Sequence, residues 1–386
     1  VAKHIGLLIV GVGAMIVTMN IPCKYFKVAL PFLLAASILL LVGVYFAGAV
    51  NDGHRWISIL GIKFQPSEIG KGTMVLATAQ ILSTMQTEHG ADRLAFKYVL
   101  TVWFMIVPLI FFENLSTAVL LSAVVYMMMI IGRVPVSQLG KLLGVALLGT
   151  LALSAIMLLG KDKEREAEKE GKAKTELVTT TTEKEEENGI ASKLLHRLDT
   201  WKSRIDKFFD TKELTPKDID LDADAQRAHA NIAIVSSGIK GKGPGNSEEC
   251  DHLSQAYSDF IFAIIIEEMG IFGAIFVASL YIVLLVRTGY IANRCENNFP
   301  AYLAMGLALM LVTQALFNMM VAVGLAPITG QPLPLISKGG TSSIINCIYL
   351  GAILSISRTA QKRSDLVSNS SGNDQGTPVV AQPAAV

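Results

Sequence analysis

The sequence predicts an all-α polytopic membrane protein with nine transmembrane helices and one large extracytoplasmic loop, and three observations predict it. The 386 residues are 52% hydrophobic with a mean hydropathy of +0.48, a balance soluble domains rarely reach. More than half of the charged residues fall between Gly160 and His252, which leaves the rest of the chain sparsely charged. Nine apolar stretches approach the ~20 residues that a helix needs to cross a ~30 Å hydrocarbon core. No period-2 strand pattern appears, and lipid admits only helices or closed barrels. A net charge of +1 gives no sign of a nucleic-acid partner.

The elements follow in order. His4–Met19 lacks a small-residue cleavage site and is followed at once by more apolar sequence, so it reads as a true span rather than a signal peptide. Val28–Val50, Ile69–Met85, Tyr98–Phe112, Leu115–Ile131 and Leu139–Leu159 complete six spans within residues 1–159. Residues 160–258 form the large loop. Its Lys161–Asn188 part is a solvated low-complexity Lys/Glu/Thr run. Leu194, Leu195, Leu198, Trp201, Ile205 and Phe208 recur at helical spacing and predict an interfacial amphipathic helix over Lys193–Phe209. Asp259–Val286, Ala301–Val323 and Gly340–Ser357 are the last three spans, within residues 259–358. The tail, 359–386, turns rich in Ser, Asn, Gln, Pro and Ala and reads as disordered.

Basic residues in short loops orient the chain. Lys24, Lys27, Arg93, Lys97, Arg133, Lys141, Arg287, Arg294, Arg358, Lys362 and Arg363 alternate onto one side, the cytoplasm, which also receives the C-terminus. The four cysteines, Cys23, Cys250, Cys295 and Cys347, show no metal-ligand spacing; they are expected at different depths and sides, without a disulfide.

Four polar clusters interrupt the apolar pattern, and this topology puts all of them on the outer side: Asn51–Lys71, Glu113–Thr117, Gly238–Asp259 and Pro327–Ser343. Arg55 and Trp56 suit an interfacial anchor as well as a site. Pro66-Ser67-Glu68 suits a helix start with Ser67 as cap. Lys71 lies about one turn inside its span, where an ammonium is costly unless paired, and Glu68 is its i,i+3 neighbour. Gly238, Gly241, Gly243 and Gly245 lack the Gly-Lys-Ser/Thr ending of a phosphate loop, yet a nest of backbone N–H groups beside Lys240 and Lys242 suits a diphosphate. Asp220, Asp222 and Asp224 lack the glycine and glutamate of a calcium loop and read as solvated. Asp259 is either an N-cap or a base, and Glu267 and Glu268 below it need a partner or a wet cavity.

These clusters resemble the SEDS family, the FtsW/RodA/SpoVE proteins, through nearly the whole chain to about Arg358. The motifs that carry the resemblance are Gly53, Arg55 and Trp56; Phe64 to Glu68 with Lys71; Gly241 to Ser247; Ser258 to Ala263 followed by Glu267, Glu268 and Gly270; and Gly324 to Gly340. Family members have ten spans, so the one expected to be absent here is the first. The resemblance implies an FtsW-like inverting glycosyltransferase of the bacterial cytoplasmic membrane. It would polymerise lipid II on the outer face during cell division, beside a class B penicillin-binding protein and other divisome membrane proteins. The family's catalytic aspartate maps onto Asp259, which would act as general base with undecaprenyl diphosphate leaving. The residues expected to bind substrate are Arg55, Glu68, Lys71, Lys240, Lys242, Asn246, Ser247, Ser337 and Lys338. A divalent cation, Mg or Mn, is the one cofactor considered, and no organic cofactor is implied. Three departures stand out: Gln255-Ala256-Tyr257 replaces Glu-Ala-His, the acidic residue of the Phe112–Thr117 turn is shifted to Glu113, and Lys338 replaces an aromatic residue. Two other classes compete: a transporter that flips lipid II, and a scaffold that only recruits the transpeptidase.

Overall fold

The computed structural model describes residues 2–46, 57–59, 62–149, 225–253 and 256–373. Ten helices lie among them. They are α1 (Ala2–Met19), α2 (Cys23–Phe46), α3 (Pro66–Thr84), α4 (Arg93–Glu113), α5 (Leu115–Ile131), α6 (Val136–Gly149), α7 (Ala225–Ser236), α8 (Ile261–Asn293), α9 (Asn298–Ala322) and α10 (Thr341–Asn373). Nine of them match the nine predicted spans in order, and α7 is an added helix within the large loop. The chain is a multi-pass α-helical membrane protein. Arg55, Trp56, the Lys161–Asn188 run, the Lys193–Phe209 helix and Asp220 to Asp224 lie outside the described residues.

Among the described residues, five helices are long and apolar enough to cross a membrane, and α3 is not one of them. Its composition includes Glu68, Lys71 and three threonines, so it is excluded on hydropathy. It is instead walled in by protein: thirteen of its nineteen residues are buried, and α2, α4, α5 and α9 pack around it. A helix shielded from lipid on most of its circumference tolerates polar groups that a peripheral one cannot. α9 is central in the same way, with 72% of its apolar window inside the protein against 17% for α2. Around this pair α1 packs on α10, α4 on α5, and α7 and α9 on α8.

Helix starts are chemically marked. Asp92 caps α4 through Leu94 N at 2.8 Å, and Asn114 caps α5 through Ser116 N at 3.1 Å and Thr117 N at 3.4 Å. Pro66 stands at the first position of α3, where its missing N–H costs nothing. Two sequence expectations fail here. Ser67 is not the α3 cap: Gln65 precedes the helix and Ser67 is fully buried inside it. Asp259 is not the α8 cap either, because the helix begins after Phe260 without a side-chain cap.

One end of the bundle gathers the basic loops, as the alternation of Lys and Arg required. There Arg358 donates to Asn20 at 2.7 Å, Ser355 donates to the Ile21 carbonyl at 2.6 Å, and Lys27 lies 4.7 Å over the Phe299 ring. Cys23 and Cys295 both sit at this end against one core, contrary to the expected scatter of the cysteines, and both are free thiols. Two short antiparallel hairpins also escaped the periodicity analysis. β1 (Ile57–Ile59) pairs with β2 (Ile62–Phe64) just before α3, with Ser58 opposite Lys63. β3 (Gln86–Thr87) pairs with β4 (Gly90–Ala91) at the basic end. The tail expected to be disordered from residue 359 begins as helix, since α10 continues to Asn373 and no breaker precedes Gly372.

Candidate functional site at the polar end

At the opposite end the polar clusters converge, and the 323–340 loop between α9 and α10 ties them together. Its prolines lack N–H groups, so its carbonyls are the polar groups that burial must satisfy. Side chains of neighbouring helices satisfy them: Asn318 donates to Gln331 O at 2.7 Å, Gln314 to Pro332 O at 3.0 Å, and Tyr281 to Pro334 O at 2.5 Å. Gln331 Nε2 in turn donates to Thr117 Oγ1 of α5 at 2.7 Å. Gly324, Gly330 and Gly340 take positive φ, and Leu335 does so as well, at 70°. A non-glycine residue held there costs on the order of 1–3 kcal/mol and marks an overdetermined segment.

This loop clamps the turn that carries Asp259. Three successive carbonyls of that turn each receive a donor: Tyr257 O from Lys338 N at 2.7 Å, Ser258 O from Ser337 Oγ at 2.5 Å, and Asp259 O from Asn318 Nδ2 at 2.8 Å. The backbone is thereby fixed on one side, and the half-buried Asp259 side chain receives Ser258 Oγ at 3.0 Å. Ser337 is itself buried, accepts Leu333 N at 2.7 Å and donates to Ser258. Its hydroxyl both donates and accepts inside the protein, which staples the loop to the turn.

Lys71 is fully buried and pairs with Glu68 Oε1 at 2.9 Å, the i,i+3 partner expected from the sequence. It also donates to Gln314 Oε1 of α9 at 2.9 Å. Tyr349 of α10 donates to the Glu68 carbonyl at 2.7 Å, and its ring fills the space left by the missing side chain of Gly72.

The glycine run has a different role from the one its composition suggested. α8 breaks at Gly270, whose φ of 66° and ψ of −163° are open essentially to glycine alone. The break orphans the carbonyls of the preceding turn, and the glycine loop supplies the donors. Lys242 N donates to Glu267 O and Gly243 N to Glu268 O, both at 2.8 Å, while Gly241 N donates to Ser237 O at 3.0 Å. The nest is therefore filled by protein carbonyls and is not open to a diphosphate. Gly241 and Gly270 meet backbone to backbone, and a Cβ on either would overlap the main chain of the other's segment.

The same loop neutralises the deeper carboxylate. Glu267 is fully buried and accepts Lys242 Nζ at 2.8 Å, Ser247 Oγ at 2.5 Å and Glu248 N at 3.2 Å. Lys242 also pairs with Glu248 at 2.9 Å, and Asn246 Nδ2 donates to Lys242 O at 3.1 Å. Lys242, Asn246 and Ser247 thus hold the loop onto α8. Hydrogen bonds to Glu267 and then Glu248 raise the Lys242 pKa above the ordinary lysine value. A raised lysine pKa stabilises the fold below that ordinary value and loses its effect only as pH climbs through the raised one, so the ammonium stays charged at physiological pH. Gly270→Ala is expected to cost about 1–3 kcal/mol from backbone conformation alone. It should also undock the glycine loop, seen as a lower melting temperature and faster proteolysis at residues 238–245.

Lys240 and Lys338 remain exposed at this end, Lys338 next to the clamp. Arg55 lies outside the described residues. Among the described residues no group of three or more His, Cys, Asp and Glu side chains could hold a metal ion. The sequence reading missed Gln314, Asn318, Tyr281 and Tyr349, while Thr117 belongs to the Glu113–Thr117 cluster it had named. The first two carried a signal: amides four residues apart in an otherwise apolar span.

The family model FtsW/RodA/SpoVE, described as "Cell cycle protein", matches residues 1–362. The chain is 27% identical over 358 residues to "Peptidoglycan glycosyltransferase MrdB" of Escherichia coli (strain K12), covering 92% of this chain and 84% of the relative. It is 29% identical over 366 residues to "Probable peptidoglycan glycosyltransferase FtsW" of Hahella chejuensis, covering 93% and 81%. Among solved structures it resembles a chain from "Structural coordination of polymerization and crosslinking by a peptidoglycan synthase complex", with a TM-score of 0.65 at 22% identity over 93% of this chain and 89% of that one. It also resembles the Thermus thermophilus rod shape determining protein RodA, with a TM-score of 0.58 at 22% identity over 92% and 87%. With residues 1–362 matched and the fold shared, the chain belongs to the FtsW/RodA/SpoVE family of cell cycle proteins.

Proposed function

We propose that this protein is a peptidoglycan glycosyltransferase that polymerises lipid II on the outer face of the bacterial cytoplasmic membrane during cell division. The observation that carries the proposal is the clamp on residues 257–259, which fixes the Asp259 backbone through three carbonyls at the end of the bundle where the polar clusters meet. Relatives named as peptidoglycan glycosyltransferases support the same activity.

Asp259 acts as the general base. It takes the proton from the acceptor sugar hydroxyl as that oxygen attacks the anomeric carbon of the donor. The new glycosidic C–O bond forms with inversion while the bond to the diphosphate breaks, and undecaprenyl diphosphate leaves with its electron pair. No ATP is needed, because the donor carries its own leaving group. Lys240, Lys338 and Arg55 are the cations assigned to the departing diphosphate. A class B penicillin-binding protein is the partner that crosslinks the product, and the solved synthase complex supports that pairing. The basic end faces the cytoplasm under the positive-inside rule.

A flippase would need a polar path through the bundle. Among the described residues, two ion pairs close charges on each other instead: Lys71 with Glu68, and Glu267 with Lys242. The test supplies purified protein and its transpeptidase partner with lipid II. Glycan polymer is the expected product. Lipid II crossing liposome bilayers without any polymer would replace this reading by the transporter.

A further inference from the structure

We propose that Gln314 and Asn318 are positioning residues for this reaction, two amides one turn apart on α9 that hold Lys71 and Asp259 in register. The inference rests on the glycosyltransferase reading and adds to it two residues that contact neither reacting atom. Both are 1% exposed. An i,i+4 pair shares one helix face, and here that face meets three separate elements. Asn318 spends both hydrogens of its Nδ2 on carbonyls, Asp259 O at 2.8 Å and Gln331 O at 2.7 Å. Gln314 accepts from Lys71 Nζ at 2.9 Å with its oxygen and donates to Pro332 O at 3.0 Å with its nitrogen. One turn of α9 therefore fixes the backbone of the base, the adjacent carbonyls of the loop, and the buried ammonium of α3.

The residue types are the ones this task demands. A primary amide nitrogen carries two hydrogens and serves two carbonyls at once, which no hydroxyl does. The orientation of Asn318 follows from those partners, since a flipped amide would press its oxygen against two carbonyl oxygens. For Gln314 the site needs an acceptor facing an ammonium and a donor facing a carbonyl on one side chain. A carboxylate lacks the donor and an aliphatic residue lacks both. Burying two amides inside an apolar helix is costly unless they are bonded; the four contacts bond both ends of Gln314 and the nitrogen of Asn318, while Asn318 Oδ1 has no hydrogen-bond partner among the described residues.

The test uses the full-length protein with its transpeptidase partner and lipid II, comparing wild type with Asn318→Asp, Asn318→Ser and Asp259→Asn. Asn318→Asp keeps the shape but turns the paired donor into an acceptor facing Asp259 O and Gln331 O. Because a misplacement of ~1 Å can cost ~10²-fold, its turnover should fall at least about tenfold while KM for lipid II stays within about twofold. Asn318→Ser is one bond shorter and leaves both carbonyls without their donor, so its turnover should also fall below wild type. Should Asn318→Asp fail to fold, wild-type turnover in Asn318→Ser overturns the proposal. So does turnover within about twofold of wild type in Asn318→Asp, or a loss confined to KM. Polymer made by wild type and lost in Asp259→Asn establishes the underlying reading independently of position 318. No polymer from wild type removes that reading, and this inference with it.

Discussion

Asp259→Asn should lower glycan polymerisation by about 10²- to 10⁴-fold, the usual contribution of a positioned general base. The substitution is nearly isosteric. The three hydrogen bonds that clamp residues 257–259 all run to backbone carbonyls, so they do not depend on the side chain. Ser258 Oγ, 3.0 Å from Asp259 Oδ1, can donate to an amide oxygen as it does to a carboxylate. The variant is therefore expected to melt like wild type and to bind its partner, while an amide has no basicity to accept the hydroxyl proton. Electrophoretic sizing of polymer made from labelled lipid II measures the effect. Equal polymer from both proteins would remove Asp259 as the base and move attention to the buried Glu113.

Lys71→Met should destabilise the protein by about 3–5 kcal/mol, the cost of removing one partner of a buried ion pair. The ammonium is fully enclosed and Glu68 is 3% exposed, so no water can replace the lost cation. The change also strips Gln314 Oε1 of its donor and loosens the contact between α3 and α9. The double variant Glu68→Gln/Lys71→Met carries no buried charge and should recover much of the loss, although a pair of neutral side chains cannot restore the bond to Gln314. Thermal melting in detergent of the two single variants and the double gives the coupling directly. A single variant that melts with wild type would show that the pair contributes nothing to the fold.

Much of the architecture was legible because lipid imposes simple rules. Long apolar stretches and the alternation of basic loops located the nine helices that match predicted spans, and most bounds fell within a few residues. The β1–β2 hairpin was concealed because its two strands are only three residues long, too short to set a period-2 pattern within the polar cluster Asn51–Lys71. The Glu68–Lys71 pair was visible because its partners are one helical turn apart. The pairing of Lys242 with Glu267 was not, since it joins residues 25 apart through a helix break that depends on Gly270.

The sequence by itself determined that Asp259 stands at the start of a span, among four polar clusters that topology sends to one end of the bundle. Only the tertiary structure decided which polar groups pair with one another. Ser247, Asn246, Lys242 and Ser337 look like ligands in a motif and each also bonds the protein. Gln314 and Asn318 look like stray polar residues in a span but connect the Asp259 backbone to the buried ammonium. The physical reason is that a polar side chain removed from water must find a partner, and the nearest partner in space is set by how helices pack rather than by their order along the chain.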